Sequence, residues 1–108
     1  MDQDRESQTE LETALSDAGG RDRVELLNRL SATVLDKDPE KAARLSREAL
    51  ELSRALGCGP GEAEACFGMG ETGRVSGDYR RALEYYGTAL DLFHNQANSL
   101  QKGRSLRR

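Results

Sequence analysis

Residues 68–93, "GMGETGRVSGDYRRALEYYGTALDLF", decide the fold. The first six fit G-x-G-x-x-G, the glycine spacing of a dinucleotide-binding turn. With Val75 they also fit G-x-G-x-x-G-x-V, the phosphate loop of kinases. The nucleotide reading requires a strand ahead of the glycines and a helix behind them. The residues ahead, "GEAEACF", read as helix instead, and Ala63, Cys66, Met69, Gly70 and Gly73 recur at 3-4 spacing on one face. Asp91 stands near the distance of a ribose-binding acid, but it falls on a helix face. No V-A-I-K-like strand and no H-R-D follow. The stretch is therefore expected to be helical, with Gly70 permitting close packing. Gly68 and Gly73 are then anomalies, each costing about 1 kcal/mol against alanine in a helix interior. On this reading the helix is the least stable of the array, and Gly68→Ala raises the melting temperature.

The 108 residues suffice for one small domain and are too few for a kinase or a two-half dinucleotide-binding fold. With 32% charged residues, no Trp and recurrent Ala, Leu, Glu and Arg, the composition suits a helical protein without an aromatic-rich core. No apolar run approaches a membrane span, and "MDQDRESQTE" is no secretory signal, so a cytoplasmic location is expected. Cys58 and Cys66, with seven residues between them, do not form C-x-x-C. They read as free thiols, one of them in a core, with neither metal nor redox work. The net charge of −3 is unevenly spread: −5 over residues 1–20, −2 over 21–98 and +4 over 99–108. A nearly neutral body with mixed signs argues against a nucleic-acid-binding face.

Working outward, "DKDPE" breaks the chain at residues 36–40, with Asp38 as N-cap and Pro39 at the first helical position. Before it, Val24, Leu27, Leu30, Ser31 and Val34 share a helix face. After it, Ala42, Leu45, Ala49, Leu52 and Leu56 form a stripe ending at Gly57, a C-cap. "CGPG" and "GDY" are turns. The last stripe is Ala82, Tyr86, Ala89 and Leu92. Near the start, Leu11, Ala14, Leu15 and Ala18 fit a short amphipathic helix that ends in Gly-Gly. No strand or hairpin signal is present, and the expected class is all-α.

Ala42, Ala49 and Leu52 lie 40 residues before Ala82, Ala89 and Leu92, and each set is preceded by a shorter helix and a turn. Such self-similarity marks a helical-repeat array. Residues 63–93 resemble a tetratricopeptide repeat. The matching features are Met69-Gly70 in the first helix, the Gly77-Asp78-Tyr79 turn, and Ala82, Tyr86 and Ala89 in the second. Cys66, Gly73 and His94 stand where the family often has Trp, Tyr and Pro. The earlier copy, residues 24–57, matches at Leu30-Ser31, Ala42 and Ala49, with Ser46 in the aromatic place. The resemblance covers about residues 23–97. It implies an α-solenoid fragment of two helix pairs with flanking helices, in which Tyr86 and Leu83 fill the space toward a next pair. Its 40-residue period resembles the long-linker variety found in bacterial regulatory and signalling proteins.

Three segments follow. Residues 1–20 form an acidic N-terminal segment with a short helix, residues 21–98 the two helix pairs, and residues 99–108 a basic segment. Gly103-Arg104-Ser105 in the last echoes Gly61-Glu62-Ala63 and reads as the start of a third pair of a longer chain. An uncapped stack would associate with itself, swap a helix, or cover its end face with its termini. Catalytic constellations are missing. His94 stands alone, and the paired acids Glu62/Glu64 and Asp36/Asp38 sit at helix starts, where they suit the macrodipole. No enzyme activity, cofactor or metal is expected.

The resemblance implies that the first helix of each pair lines a concave binding face. That assigns Glu25, Asn28, Ala32 and Leu35 from one copy and Glu64, Phe67, Glu71 and Arg74 from the other. Phe67 lies off the buried stripe, either as an anchor for a peptide or packed against the neighbouring helix. Family members that grip C-terminal carboxylates use a Lys and Asn pair. Asn28, Ala32, Phe67 and Glu71 hold those places here, so that clamp is not expected. The leading expectation is a protein-interaction module for a peptide or helix of a partner, with no nucleic acid or membrane. The rival is a self-association scaffold that forms a homo-dimer or a helix swap. Binding of RNA or a membrane surface through residues 102–108 ranks third.

Overall fold

The computed structural model describes the backbone of residues 3–106 and the side chains of residues 8–97. Five helices follow one another: α1 (Gln3–Asp17), α2 (Gly20–Val34), α3 (Pro39–Leu56), α4 (Gly59–Ser76) and α5 (Tyr79–Leu106). Among the described residues there is no strand, and the fold is all-α. Each helix packs on its neighbours in sequence, and α2 also touches α4. The result is elongated, 50 × 35 × 27 Å. Its radius of gyration is 15.1 Å, against about 13 Å for a compact chain of this length.

The turns repeat their chemistry. Asp38 caps α3 by accepting from the Lys41 backbone N–H at 3.1 Å, and Asp78 accepts from the Arg81 N–H at 3.3 Å. Helices α3 and α4 end in left-handed glycines, Gly57 (φ 68°) and Gly77 (φ 86°). In both, the next residue's N–H returns to the carbonyl five residues back, Cys58 to Ser53 and Asp78 to Gly73, each at 2.8 Å. These bonds satisfy carbonyls the helix end leaves open, and only glycine adopts that φ without a Cβ penalty.

Small residues build the core. Ala42, Ala49, Ala63, Ala65, Ala82 and Ala89 are buried with Val24, Leu27, Leu30, Val34 and Cys66. The expected α2 and α4 faces are buried throughout. On α3 the pattern is broader than the sequence stripe. Ser46, Leu50 and Ser53 are also buried, while Leu56 is 41% exposed. The reason is position: α3 packs against α2 on one side and α4 on the other, so it has two inner faces. On α5, Ala82 and Ala89 are buried and Tyr86 is half-buried, but Leu83 is 70% exposed. No described helix lies over it, so the expected filling role is not realised.

The helix expected near the start is present as α1, and its Leu11 and Leu15 pack against the core. The Arg23 guanidinium bonds both the Leu15 carbonyl and the Glu48 carboxylate, tying α1, α2 and α3 together. At the other end α5 runs unbroken to Leu106, so no turn opens a new helix at Gly103. Nothing resembling "CGPG" or "GDY" precedes that glycine, and a lone glycine weakens a helix without ending it. Among the described residues no helix is long and apolar enough to cross a membrane.

The glycines of α4 receive a tertiary explanation. A Cβ on Gly70 would come within 2.6 Å of the Tyr86 ring, and one on Gly73 within 3.1 Å of the Ala82 nitrogen and the Asp78 carbonyl. Both therefore permit the close approach of α5. Gly68 is turned the other way: its Cβ would lie 2.5 Å from Ser46 Oγ on α3. The expected stabilisation by Gly68→Ala assumed free space, and none exists. The first copy makes the counterpart of the Gly70–Tyr86 contact differently. Ser31 faces Ser46 with their hydroxyls 2.7 Å apart, and Ser31 Oγ donates to the Ala42 carbonyl at 2.8 Å.

Candidate functional site

Helices α2 and α4 lie side by side and leave a groove of about 420 Å3 lined by Asn28, Ser31, Ala32, Leu35, Glu64, Phe67, Gly68 and Glu71. The helical period explains the set: Asn28 and Ala32 lie on one face of α2, continued by its C-cap Leu35, and Glu64, Phe67 and Glu71 on one face of α4. Six of the eight residues assigned to the concave face thus meet here. Glu25 lines the adjoining hollow beyond Asn28, together with Arg21, Arg29 and Pro60. Arg74 stands outside both hollows, its Nε donating to Glu71 at 2.9 Å. Ser31 was legible only as a packing residue and Gly68 only as an anomaly in a helix; both also line the groove, Gly68 with its Cα side turned toward Ser46.

Phe67 is 48% exposed, with its ring centroid 5.6 Å from that of Tyr86 at a 49° tilt. One edge of the ring therefore packs on α5 while the rest faces the groove. Beneath it, the Tyr86 hydroxyl donates to the same Glu71 oxygen that Arg74 holds. The Arg74 bond, then the Tyr86 bond, hold the Glu71 carboxyl below its ordinary range, so it is an anion at neutral pH. Burial, reinforced by the Glu71 bond, pushes the Tyr86 phenol up.

At the opposite end, Asn28 is 8% exposed and donates from Nδ2 to the Gly61 carbonyl at 3.2 Å. That carbonyl can only accept, which settles the amide orientation. Its Oδ1 is buried with no partner. Glu64 is exposed and forms no ion pair among the described residues.

The six-residue glycine motif lies inside α4, where its backbone N–H groups serve the helix rather than a phosphate cradle. Cys66 is fully buried, and desolvation pushes its thiol up, away from the reactive range. Among the described residues no cluster of His, Cys, Asp or Glu is arranged to hold a metal ion. The side chains of residues 102–108 lie outside the described residues. Comparisons with protein-family models, with curated proteins and with solved structures give no match to this chain.

Proposed function

We propose that this chain is a protein-interaction module of tetratricopeptide type that takes a partner peptide between α2 and α4, as part of a bacterial regulatory or signalling protein. The carrying observation is the half-exposed Phe67 facing a groove otherwise lined by small or aliphatic residues, two carboxylates and the Asn28 amide. A rigid aromatic with one edge already packed is a low-entropy anchor for an incoming side chain. The family assignment rests on the 40-residue shift, the matching aspartate caps and the small residues where the helices meet. No catalytic chemistry is assigned, since the groove pairs no nucleophile with a base. The test is a peptide selected by display against the full chain. Phe67→Ala should weaken its binding at least tenfold with helicity unchanged, and unchanged affinity removes the reading.

A second reading, self-association, is favoured by α5. Tyr79, Leu83, Leu90 and Phe93 are exposed on one face at 3-4 spacing, with Tyr86 between them. The order aromatic, Leu, Tyr, Leu, aromatic reads much the same in both directions, which suits an antiparallel pairing with a second copy about a two-fold axis. Sedimentation of the wild type beside Leu83→Glu/Leu90→Glu separates the readings. A dimer lost in the double variant with Phe67-dependent peptide binding retained assigns the two surfaces to different work.

A further inference from the structure

The polar inventory of the groove is one-sided. Ser31 Oγ is committed to the Ala42 carbonyl and Ser46. The Asn28 amide has spent its nitrogen on Gly61 and keeps a buried, unpartnered oxygen. Glu64 is exposed and has no ion-pair partner among the described residues, and Glu71 is an anion shared with Arg74 and Tyr86. Among the described residues no Lys, Arg or His lines the groove. What remains is a set of acceptors beside Ala32, Leu35 and Phe67. Asn28 and Glu64 line both this groove and the adjoining hollow, so they stand where the two meet. Arg21 and Arg29 lie in that hollow, Arg29 facing Glu25 at 3.9 Å, and neither lines the groove.

A carboxylate placed here would meet like charge and no donor. A group rich in N–H donors on an apolar stem would satisfy the buried oxygen, neutralise Glu64 and lay its methylenes on the Phe67 ring. Deepening the peptide-binding reading on which it rests, we propose that the groove recognises a lysine or arginine side chain of the partner peptide, paired with Glu64 and packed on Phe67, with Asn28 turning its buried Oδ1 outward to accept from it. Acceptors buried without partners are costly, and a ligand that supplies the donor removes that cost on binding.

Three labelled peptides of one apolar framework, carrying Lys, Gln or Glu at the same position, are titrated by fluorescence anisotropy against the full chain. The Lys peptide should bind about tenfold tighter than the Gln peptide, the factor of one charge-assisted hydrogen bond on a partly exposed site. Glu64→Gln should erase most of that preference, and Glu64→Lys should transfer it to the Glu peptide. Glu51→Gln, on the exposed side of α3, changes net charge equally and should leave the preference intact. Equal binding of the Lys and Gln peptides, or equal effects of Glu64→Gln and Glu51→Gln, overturns the basic-side-chain assignment. If these peptides still lose affinity with Phe67→Ala, the peptide groove itself stands. Absence of binding by all three peptides overturns both.

Discussion

Replacing Gly68 with alanine sets two known effects against each other. Helix propensity alone favours the alanine by about 1 kcal/mol. The added methyl, however, would lie 2.5 Å from Ser46 Oγ and 3.4 Å from Ser46 Cβ. The offending atom is the hydroxyl, and it is not free to leave. Ser31 Oγ spends its proton on the Ala42 carbonyl, so Ser46 donates to Ser31 at 2.7 Å inside the core. Moving it costs about 1 kcal/mol in hydrogen bonding, and the added strain of an overpacked core is about 1–3 kcal/mol. The net is a loss of about 1–3 kcal/mol, or a melting-temperature drop of about 5–20 °C for a domain of this size. Ser46→Ala removes the hydroxyl and leaves ordinary contact between the two Cβ atoms. In that background Gly68→Ala should stabilise by about 1 kcal/mol, the propensity term by itself. Thermal and urea unfolding of the four proteins by circular dichroism closes the double-mutant cycle. A Gly68→Ala protein more stable than wild type, with Ser46 in place, would refute the packing argument and restore the open-space reading.

Other glycines divide the same way. A Cβ on Gly87 would meet nothing within 4 Å, so Gly87→Ala should stabilise by about 1 kcal/mol. Gly70→Ala, driven into the Tyr86 ring, should destabilise by about 2 kcal/mol. Unfolding curves that rank these two the other way would contradict the assigned roles. Stability should also depend on pH at both ends. Glu71 titrates below its unfolded value, so its contribution is present at neutral pH and lost as pH falls through the folded pKa. Tyr86 titrates above its unfolded value. Its contribution is therefore complete below about pH 10 and lost as pH rises through the folded pKa. The melting-temperature gap between wild type and Glu71→Gln should hold from about pH 6 to 8 and close as pH falls through the lowered folded pKa of Glu71. A gap that persists at the acid end would show that the Glu71 ionisation is not the source.

Much of the groove was legible because a helix places every third and fourth residue on one face. Asn28, Ala32 and Leu35, and Glu64, Phe67 and Glu71, are neighbours on their own helices whatever the tertiary arrangement. That the two trios face each other across one groove is decided by the contact of α2 with α4. Arg74 obeys the same period, yet it is drawn to Glu71 outside the groove. The orphaned oxygen of Asn28 had no sequence signal, because it exists only where the Gly61 carbonyl claims the other end of the amide.

The sequence by itself determined the helices and their turns. Asp38, Gly57, Gly77 and Asp78 act through bonds to residues three to five positions away, and Pro39 through its own fixed φ, so their work needs no distant partner. Only the tertiary structure decided which way each glycine of α4 is used. Gly68 serves α3, and Gly70 and Gly73 serve α5. Periodicity reports that a residue is turned inward, but α4 is enclosed on more than one side. The size a position tolerates depends on which neighbour's atoms stand opposite, and that is a property of the packed array.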